Sequence, residues 1–405
     1  MKILYISNEY PPETGYGGIA TYTRHMAREM ARLGHSVHVI CRSEMGRNTE
    51  YEDKGIRVHR IRCGPYPLPR GRFWYPLRLL CYKVIPQSLI RLAWAKTAWE
   101  TFCDLRKTHT FDIIEYPDCG AEGFHFSRKE NLPLTVRLHT PWSLVRELDG
   151  IKEHILDRFL QAWLEKTAIR GSRAVSSPSH ALSRLVNNMW NVQCTTVYPN
   201  PIPSSTYRKT NHNRRWIYTG RLEYRKGVHD LIKAYAQVCR THSPPQLLLV
   251  GSAVGTMKNG TPYGEFIQNL ITETKTGGKI RHIPRVVHKE VGNLLQNSSA
   301  AFFPSLWENF PYSCMEAMAS GLIVAASECG GYPEMIANEI NGLLFKPGDP
   351  DDLASVMRRI LDTPHTMENL GEEARRTVGE FFDSKAVCRR AEQFYTDIIR
   401  SGRGA

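Results

Sequence analysis

Short apolar runs bounded by Gly, Pro or polar clusters recur along the chain, separated by longer segments whose apolar residues fall three and four apart. The runs predict strands at 2–6, 37–40, 56–61, 112–115, 134–140, 174–177 and 195–198. The helical period is clearest at 19–33, where Ile19, Tyr22, Met26, Met30 and Leu33 share one stripe and Gly34 supplies the stop. After residue 215 the alternation resumes, with strands predicted at 216–219, 246–250, 279–283, 300–303, 322–327 and 342–345. Strand and helix in turn, over and over, argue an α/β chain whose parallel sheets carry helices on both faces.

Between the two series lies Tyr198-Pro-Asn-Pro-Ile-Pro203, a stiff, turn-rich connector followed by a polar tract at 204–215. It marks a domain boundary: one domain at 1–200, a second at 201–380, and a remainder, 381–405, dominated by a final helix at 384–400. A length of 405 residues suits two or three domains, each with its own core. There is no repeat at solenoid spacing and no low-complexity segment.

The most specific stretch is 300–321, AAFFPSLWENFPYSCMEAMASG. The run 300–303 reads as a buried strand closed by Pro304, 305–310 as a loop, and Pro311 as the first residue of a helix that stops at Gly321. Glu308 then stands in the loop at the strand's carboxyl end and Glu316 inside the helix. Open α/β sheets bind ligands at that edge. A chain of this size holds on the order of one Glu pair at this spacing by chance, so the surrounding strand, Pro-Ser loop and helix carry the specificity.

That arrangement, P-S-x-x-E, seven residues, then E-A-M-A-x-G (Pro304, Ser305, Glu308, Glu316, Ala317, Met318, Ala319 and Gly321), resembles the signature of the retaining glycosyltransferases of family 4, which have the GT-B fold. The likeness continues through the strand 322–327, Gly330-Gly331, Glu334 and Asn341-Gly342-Leu343-Leu344; it covers nearly the whole chain and is tightest from 216 to 349. It implies two Rossmann-like, doubly wound domains facing a cleft. The first lies on the acceptor side, the second binds the nucleotide sugar, and the terminal helix packs back toward the first. The implied reaction moves a sugar from a nucleotide-diphosphate donor to an acceptor hydroxyl with retention of configuration, in polysaccharide or glycolipid synthesis. Rival readings are a sugar-nucleotide epimerase or hydrolase of the same fold and a sugar-nucleotide-binding protein without turnover.

Arg221 and Lys226, in the Gly220–Gly227 loop, fall at a strand's carboxyl end just before a helix, where free N–H groups and fixed charge favour anions. Arg grips phosphate with two parallel hydrogen bonds and Lys acts as a point charge. The bland alternative is a solvated basic loop. The resemblance implies that the pair holds the donor diphosphate and stabilises the charge that grows on it. It also implies that Glu316 accepts the ribose hydroxyls and that Glu308 lies near the donor sugar. Asn309, Phe310 and Tyr312 would then contact sugar and phosphate through backbone N–H groups. Where the family has E-G-F-G this chain has E-N-F-P, so Pro311 removes one N–H donor. The base-binding turn falls at Pro284-Arg285-Val286, with Pro in place of the usual Gly.

In the first half, Gly17 and Gly18 open the first long helix and permit close backbone approach. Taken alone they are a flexible turn; the resemblance makes them a phosphate- and acceptor-facing loop. His139 ends an apolar strand, commonly the place of a structural residue; the resemblance gives it the donor sugar's hydroxyls. No carboxylate pair or D-x-D element is placed to hold a metal beside the phosphate, so the reaction is expected to need neither metal nor cofactor, with cations taking that task.

Composition changes the picture in two respects. Hydrophobic residues make up 41% and charged residues 23%, no apolar run approaches a membrane span, and the N-terminal apolar run is too short for a signal peptide. Ten Cys without C-x-x-C pairing point to a reducing compartment, hence a cytoplasmic location. Net charge is +13, and 54–99 holds ten Lys or Arg, no Asp or Glu, and aromatics from Tyr66 to Trp99. Such a stretch fits an interfacial helix resting on an anionic membrane surface and equally a solvated basic face over core aromatics. It lacks any RNP or zinc-finger pattern, so nucleic acid is not expected as a partner. The expected partners are the nucleotide sugar, a carbohydrate or lipid-linked acceptor, and that membrane surface.

Overall fold

The computed structural model describes residues 1–14, 17–69, 71, 73–208, 215–284 and 286–402. The chain forms two compact units: Met1–Pro201 joined by the segment from Ser384 onward, and Ile202–Asp383. No helix among the described residues is long and apolar enough to cross a membrane.

The first unit is built on eight strands: β1 (Lys2–Ser7), β2 (Ser36–Ser43), β3 (Thr49–Asp53), β4 (Ile56–Arg62), β5 (Ile113–Pro117), β6 (Leu134–Arg137), β7 (Ala174–Ser177) and β8 (Thr196–Val197). Their order is β3-β4-β2-β1-β5-β6-β7-β8, parallel throughout except for the β3–β4 hairpin. Pattern reading missed β3, because the segment TEYED is polar and half exposed, without the apolar run that marks a buried strand. Strand order reverses between β1 and β5, whose registers align Ile3 with both Val37 of β2 and Ile113. The helix Gly18–Arg32 follows β1 and buries Tyr22, Met26 and Met30. The final helix, Ser384–Gly402, closes this unit: the Tyr395 hydroxyl donates to buried Glu115 at 2.7 Å, and the His35 ring meets Glu392 at 2.7 Å.

β6 stops at Arg137 rather than running on to Thr140 as predicted. The N–H groups of His139 and Thr140 turn away from the ladder and donate to the Asp118 carboxylate at 2.8 and 3.3 Å, and Thr140 takes φ of 122°. A β-branched residue at that angle is strained, and the Asp118 pair of hydrogen bonds holds it there.

The second unit carries β9 (Arg215–Thr219), β10 (Gln246–Val250), β11 (Ile280–Ile283), β12 (Ala300–Phe303), β13 (Ile323–Ser327) and β14 (Leu343–Phe345), all parallel, in the order β11-β10-β9-β12-β13-β14. Alternate side chains feed two cores. Trp216, Leu247, Leu249 and Phe302 pack against one layer of helices, while Ile217, Leu248, Ala301 and Phe303 pack against the helix Tyr312–Ala319. Burial on both faces explains why these strands read as unbroken apolar runs. Each fully buried Leu or Phe among them contributes roughly 1.5–3 kcal/mol. The order reverses between β9 and β12, so the loops leaving those two strands emerge side by side at the switch point. Both Rossmann-like sheets match the expected fold class.

The basic stretch 54–99 does not form one interfacial helix. It spans β4, a loop, a helix Tyr75–Val84 without a buried residue, and most of the helix Pro86–Leu105, which buries Leu89, Trp94 and Ala98. Arg60 is buried, with its Nη2 donating to the Tyr10 carbonyl at 2.7 Å and to the Tyr51 hydroxyl at 2.9 Å. Part of this stretch is therefore core.

Candidate active site

The loop leaving β9 runs from Gly220 to Gly227 and enters the helix Val228–Cys239. Gly227 has φ of 65°, and a Cβ there would lie 1.9 Å from the Pro304 carbonyl oxygen. Only glycine lets this loop close on the one leaving β12. The two loops are then laced together: the Leu306 N–H donates to the Arg225 carbonyl at 2.7 Å, and Arg225 Nη1 donates to the Trp307 carbonyl at 2.9 Å. A third loop, after β13, supports them. Gly330 has φ of 55°, its Cβ would lie 1.8 Å from the Glu308 carbonyl oxygen, and the Gly331 N–H donates to that oxygen at 2.9 Å.

Three backbones thus fix Glu308, which is 8% exposed. Its carboxylate accepts Arg225 Nη1 at 2.5 Å and pairs with the Lys226 ammonium. Arg225 Nη2 donates to Glu223 at 2.6 Å, and Arg221 Nη2 reaches the same carboxylate at 3.4 Å. Arg221 is the outermost member of the chain, its side chain 63% exposed. Three cations against two carboxylates leave the cluster net positive. Burial alone would raise the Glu308 pKa, but Lys226 and then Arg225 outweigh it and hold the group down to about 2.

Glu316 has the opposite surroundings. It lies on the buried face of the helix Tyr312–Ala319. Burial pushes its pKa up to about 7, a rise only partly offset by the Tyr207 hydroxyl, which donates to Oε1 at 3.1 Å. Tyr207 follows the turn Ser204–Thr206 and is pinned by Arg375 Nη1, which donates to its carbonyl at 3.0 Å. The helix begins at Tyr312, with Pro311 as the extended residue before it, one place later than predicted. Pro311 stands at the cap position with its ring fixing φ at −75° and with an extended ψ of 131°. Asn309 and Phe310 are buried at its mouth, and the Phe310 ring meets Phe382 edge-on at 5.3 Å.

Of the base-turn residues, Val286 packs against the second core layer, and Arg285 lies outside the described residues. In the first unit, Gly17 is the cap of the helix Gly18–Arg32, where a Cβ would approach Glu9 Oε2 at 3.2 Å; a Cβ on Gly18 would meet open space. His139 sits edge-on to Tyr22 at 4.9 Å. Burial first, and Arg137 second, drive its pKa well below the usual range, so the imidazole is neutral near pH 7 and suited to hydrogen bonding with a hydroxyl. Among the described residues no cluster of three or more His, Cys, Asp or Glu is arranged to hold a metal ion. The one D-x-D run, Asp349 to Asp351, caps a helix: Asp349 accepts the N–H groups of Asp351 and Asp352.

The structure thus unites Arg221, Lys226 and Glu308 in one ion cluster, with Glu316 on the helix that follows, and leaves Gly17, Gly18 and His139 in the first unit. Sequence reading overlooked Arg225 and Glu223, which join Arg221 to Glu308, as well as Tyr207 and Asp118. Arg225 stands next to Lys226 in the loop already singled out. Tyr207 lies in a polar tract with no motif to flag it.

Comparison with known proteins accords with this geometry. Residues 17–201 match the family described as glycosyl transferase 4-like domain, and residues 206–377 match glycosyl transferases group 1. The glycogen synthase of Mycobacterium tuberculosis is 25% identical over 416 residues, covering 100% of this chain and 96% of its own. Among solved structures, sucrose-phosphate synthase from Thermosynechococcus elongatus superposes with a TM-score of 0.79 at 21% identity, covering 99% of both chains. Anabaena HepE in complex with UDP-glucose gives 0.70 at 19%, covering 98% of this chain and 100% of that one. With both halves of the chain matched and both sheets wound as in those structures, the chain belongs to the GT-B glycosyltransferases of the family 4 type, enzymes that move a sugar from a nucleotide donor in glycan synthesis.

Proposed function

We propose that this enzyme transfers a hexose from a nucleotide-diphosphate sugar to an acceptor hydroxyl with retention of configuration and without a metal. The observation that carries this reading is the net-positive cluster of Arg221, Arg225 and Lys226 around Glu308 at the switch point of the second unit. The donor rests on that unit. Arg221 and Lys226 take the diphosphate oxygens, Glu316 takes the ribose hydroxyls, and Asn309, Phe310 and Tyr312 offer backbone groups to sugar and phosphate. The first unit carries the acceptor, a carbohydrate or a lipid-linked glycan; its Gly17-Gly18 helix start faces phosphate and acceptor, and its His139 takes hydroxyls of the donor sugar.

As the bond between the anomeric carbon and the phosphate oxygen breaks, negative charge builds on the leaving group, where Lys226 and Arg221 are preorganised to stabilise it. Glu308, ionised at every physiological pH, favours the positive charge that develops on the sugar. The acceptor oxygen bonds to the anomeric carbon on the face the phosphate leaves, and its proton passes to the departing phosphate oxygen. Positioning and leaving-group stabilisation supply most of the rate. The UDP-glucose complex of the structural neighbour makes UDP-glucose the first donor to test.

The test is product analysis with a panel of sugar nucleotides and glycan acceptors. Acceptor-dependent release of nucleoside diphosphate, an α-linked product from an α-linked donor, and full activity in a chelator are expected. Donor breakdown at the same rate without acceptor would instead mark an epimerase or hydrolase. Tight donor binding without turnover would mark a binding protein.

A further inference from the structure

The helix Tyr75–Val84, YPLRLLCYKV, is mostly apolar and yet buries none of its residues. Phe73 just before it is 85% exposed, and Leu77 and Leu80 are about half exposed. A second apolar stripe, Ile155, Phe159 and Trp163, points outward at i, i+4 and i+8 from the helix Ile155–Arg170, with Phe159 73% exposed. The two helices are distant in sequence, and buried Asp157 ties the second to the segment that follows the first. Its carboxylate accepts the N–H groups of Gln87 and Ser88 at 3.0 and 2.9 Å and the Ser88 hydroxyl at 2.5 Å. Asp157 on one helix therefore caps the N-terminus of the helix Pro86–Leu105, one residue beyond the end of the Tyr75–Val84 helix.

The outward charges carried by the segments 73–84 and 151–170 are basic. The stretch 54–99 has no acidic residue, and Arg78 and Lys83 lie on the exposed helix itself. From 151 to 170 the acids are Glu153, Asp157 and Glu165, and all three turn inward. Glu153 accepts Trp142 Nε1 and Gln161 Nε2 and faces Arg146, Asp157 caps as described, and Glu165 accepts the Ser143 hydroxyl. Lys152 and Arg158 remain on the outside. Apolar side chains of this size exposed together on a monomer mark an interaction surface. Aromatic and leucine side chains flanked by outward Arg78, Lys83, Lys152 and Arg158 match the interface of an anionic bilayer, where headgroups meet the charges and acyl chains the apolar groups.

We propose that the Tyr75–Val84 helix and the outward stripe of the Ile155–Arg170 helix form one docking face for an anionic membrane surface. This goes beyond the donor chemistry and does not depend on it. The experiment is flotation of the full chain with vesicles of phosphatidylglycerol and of phosphatidylcholine, at low and high salt. Binding to the anionic vesicles is expected to exceed binding to neutral ones by about tenfold or more at low salt and to weaken as salt screens the charges. The pair Leu77→Glu with Leu80→Glu on one helix, and Phe159→Glu on the other, are each expected to lower it by about tenfold. Thermal stabilisation by UDP-glucose, read in parallel, should be the same in these variants as in the parent. Should an apolar-to-acid variant fold poorly, the surface pair Arg78→Glu with Lys83→Glu asks the same question and is expected to abolish the preference for anionic lipid. Equal binding to neutral vesicles, loss of binding confined to the first helix, or a dimer in solution that the same variants dissolve would each overturn the proposal.

Discussion

Glu308 and Glu316 are the same residue type, eight positions apart and both buried, yet near neutrality Glu308 is fully ionised while Glu316 is in mid-titration. Glu308 sits where two loops converge, and the Lys226 and Arg225 charges there hold its pKa to about 2. Glu316 sits on the buried face of the helix that follows, where the Tyr207 phenol donates to it and burial pushes its pKa up to about 7. A difference of that size corresponds to several kcal/mol of differential stabilisation of the two carboxylates. The contrast teaches that burial raises a carboxyl unless neighbouring cations outweigh it. The loop acid is a fixed anion, and the helix acid is a group whose charge varies across physiological pH.

The largest test of this contrast is Lys226→Ala. It removes the first cation beside Glu308 and the point charge offered to the diphosphate, and turnover is expected to fall by about 10²–10³, mainly in kcat. Nucleoside diphosphate release measures it, and a variant with parental turnover would show that the cluster is structural. Next is Gly330→Ala, which forces a Cβ onto the Glu308 carbonyl oxygen at a positive φ and should cost about 2–3 kcal/mol of stability, read by denaturant melts. A parental midpoint would show that the third loop does not hold Glu308.

The pH dependence separates the two acids. Glu308 has a lowered folded pKa, so its stabilising contribution is present above about 4.5 and is lost as pH falls toward 2. Glu316 has a raised one, so its contribution is present below about 4.5 and fades as pH rises through about 7. Glu316→Gln should therefore stabilise the ligand-free protein above pH 7 by about 1–2 kcal/mol while weakening donor binding by about tenfold. If Glu316 takes the ribose hydroxyls as proposed, calorimetric titration of the parent should show donor affinity rising between pH 6 and 8 as its carboxylate ionises, and the Gln variant should be flat. A parent profile without that rise would remove Glu316 from the ribose site. The smallest effect belongs to Tyr207→Phe. Losing the hydroxyl should move the midpoint of that profile to higher pH and weaken binding a few-fold, about 1 kcal/mol. An unmoved midpoint would show that the phenol does not tune Glu316.

How far the sequence could be read depended on whether a feature is local. The strands β10, β7 and β12 were legible to the residue, because two-sided burial leaves unbroken apolar runs between turn formers. β3 was not, since an edge hairpin strand with half-exposed polar residues has no such run. The end of β6 was misplaced for a related reason: Leu138 looks like strand, and nothing local announces that Asp118, twenty residues earlier, takes the next two N–H groups. In the site, Glu308 and Lys226 were singled out from motif and position, but Arg225 acquires its role only when the β9 and β12 loops pack together. Tyr207 acquires its own only when the start of the second unit folds onto the helix Tyr312–Ala319.

By itself the sequence determined the α/β alternation, the family, and the basic and acidic residues of the loops after β9 and β12, because periodicity, turn chemistry and motif spacing act over a few residues. Tertiary structure alone decided which acid is charged and which cations surround it. It alone tied the helix Ile155–Arg170, through Asp157, to the start of the helix Pro86–Leu105. Those outcomes depend on burial and on distances between groups remote along the chain, and electrostatic and packing energies are set by separation in space.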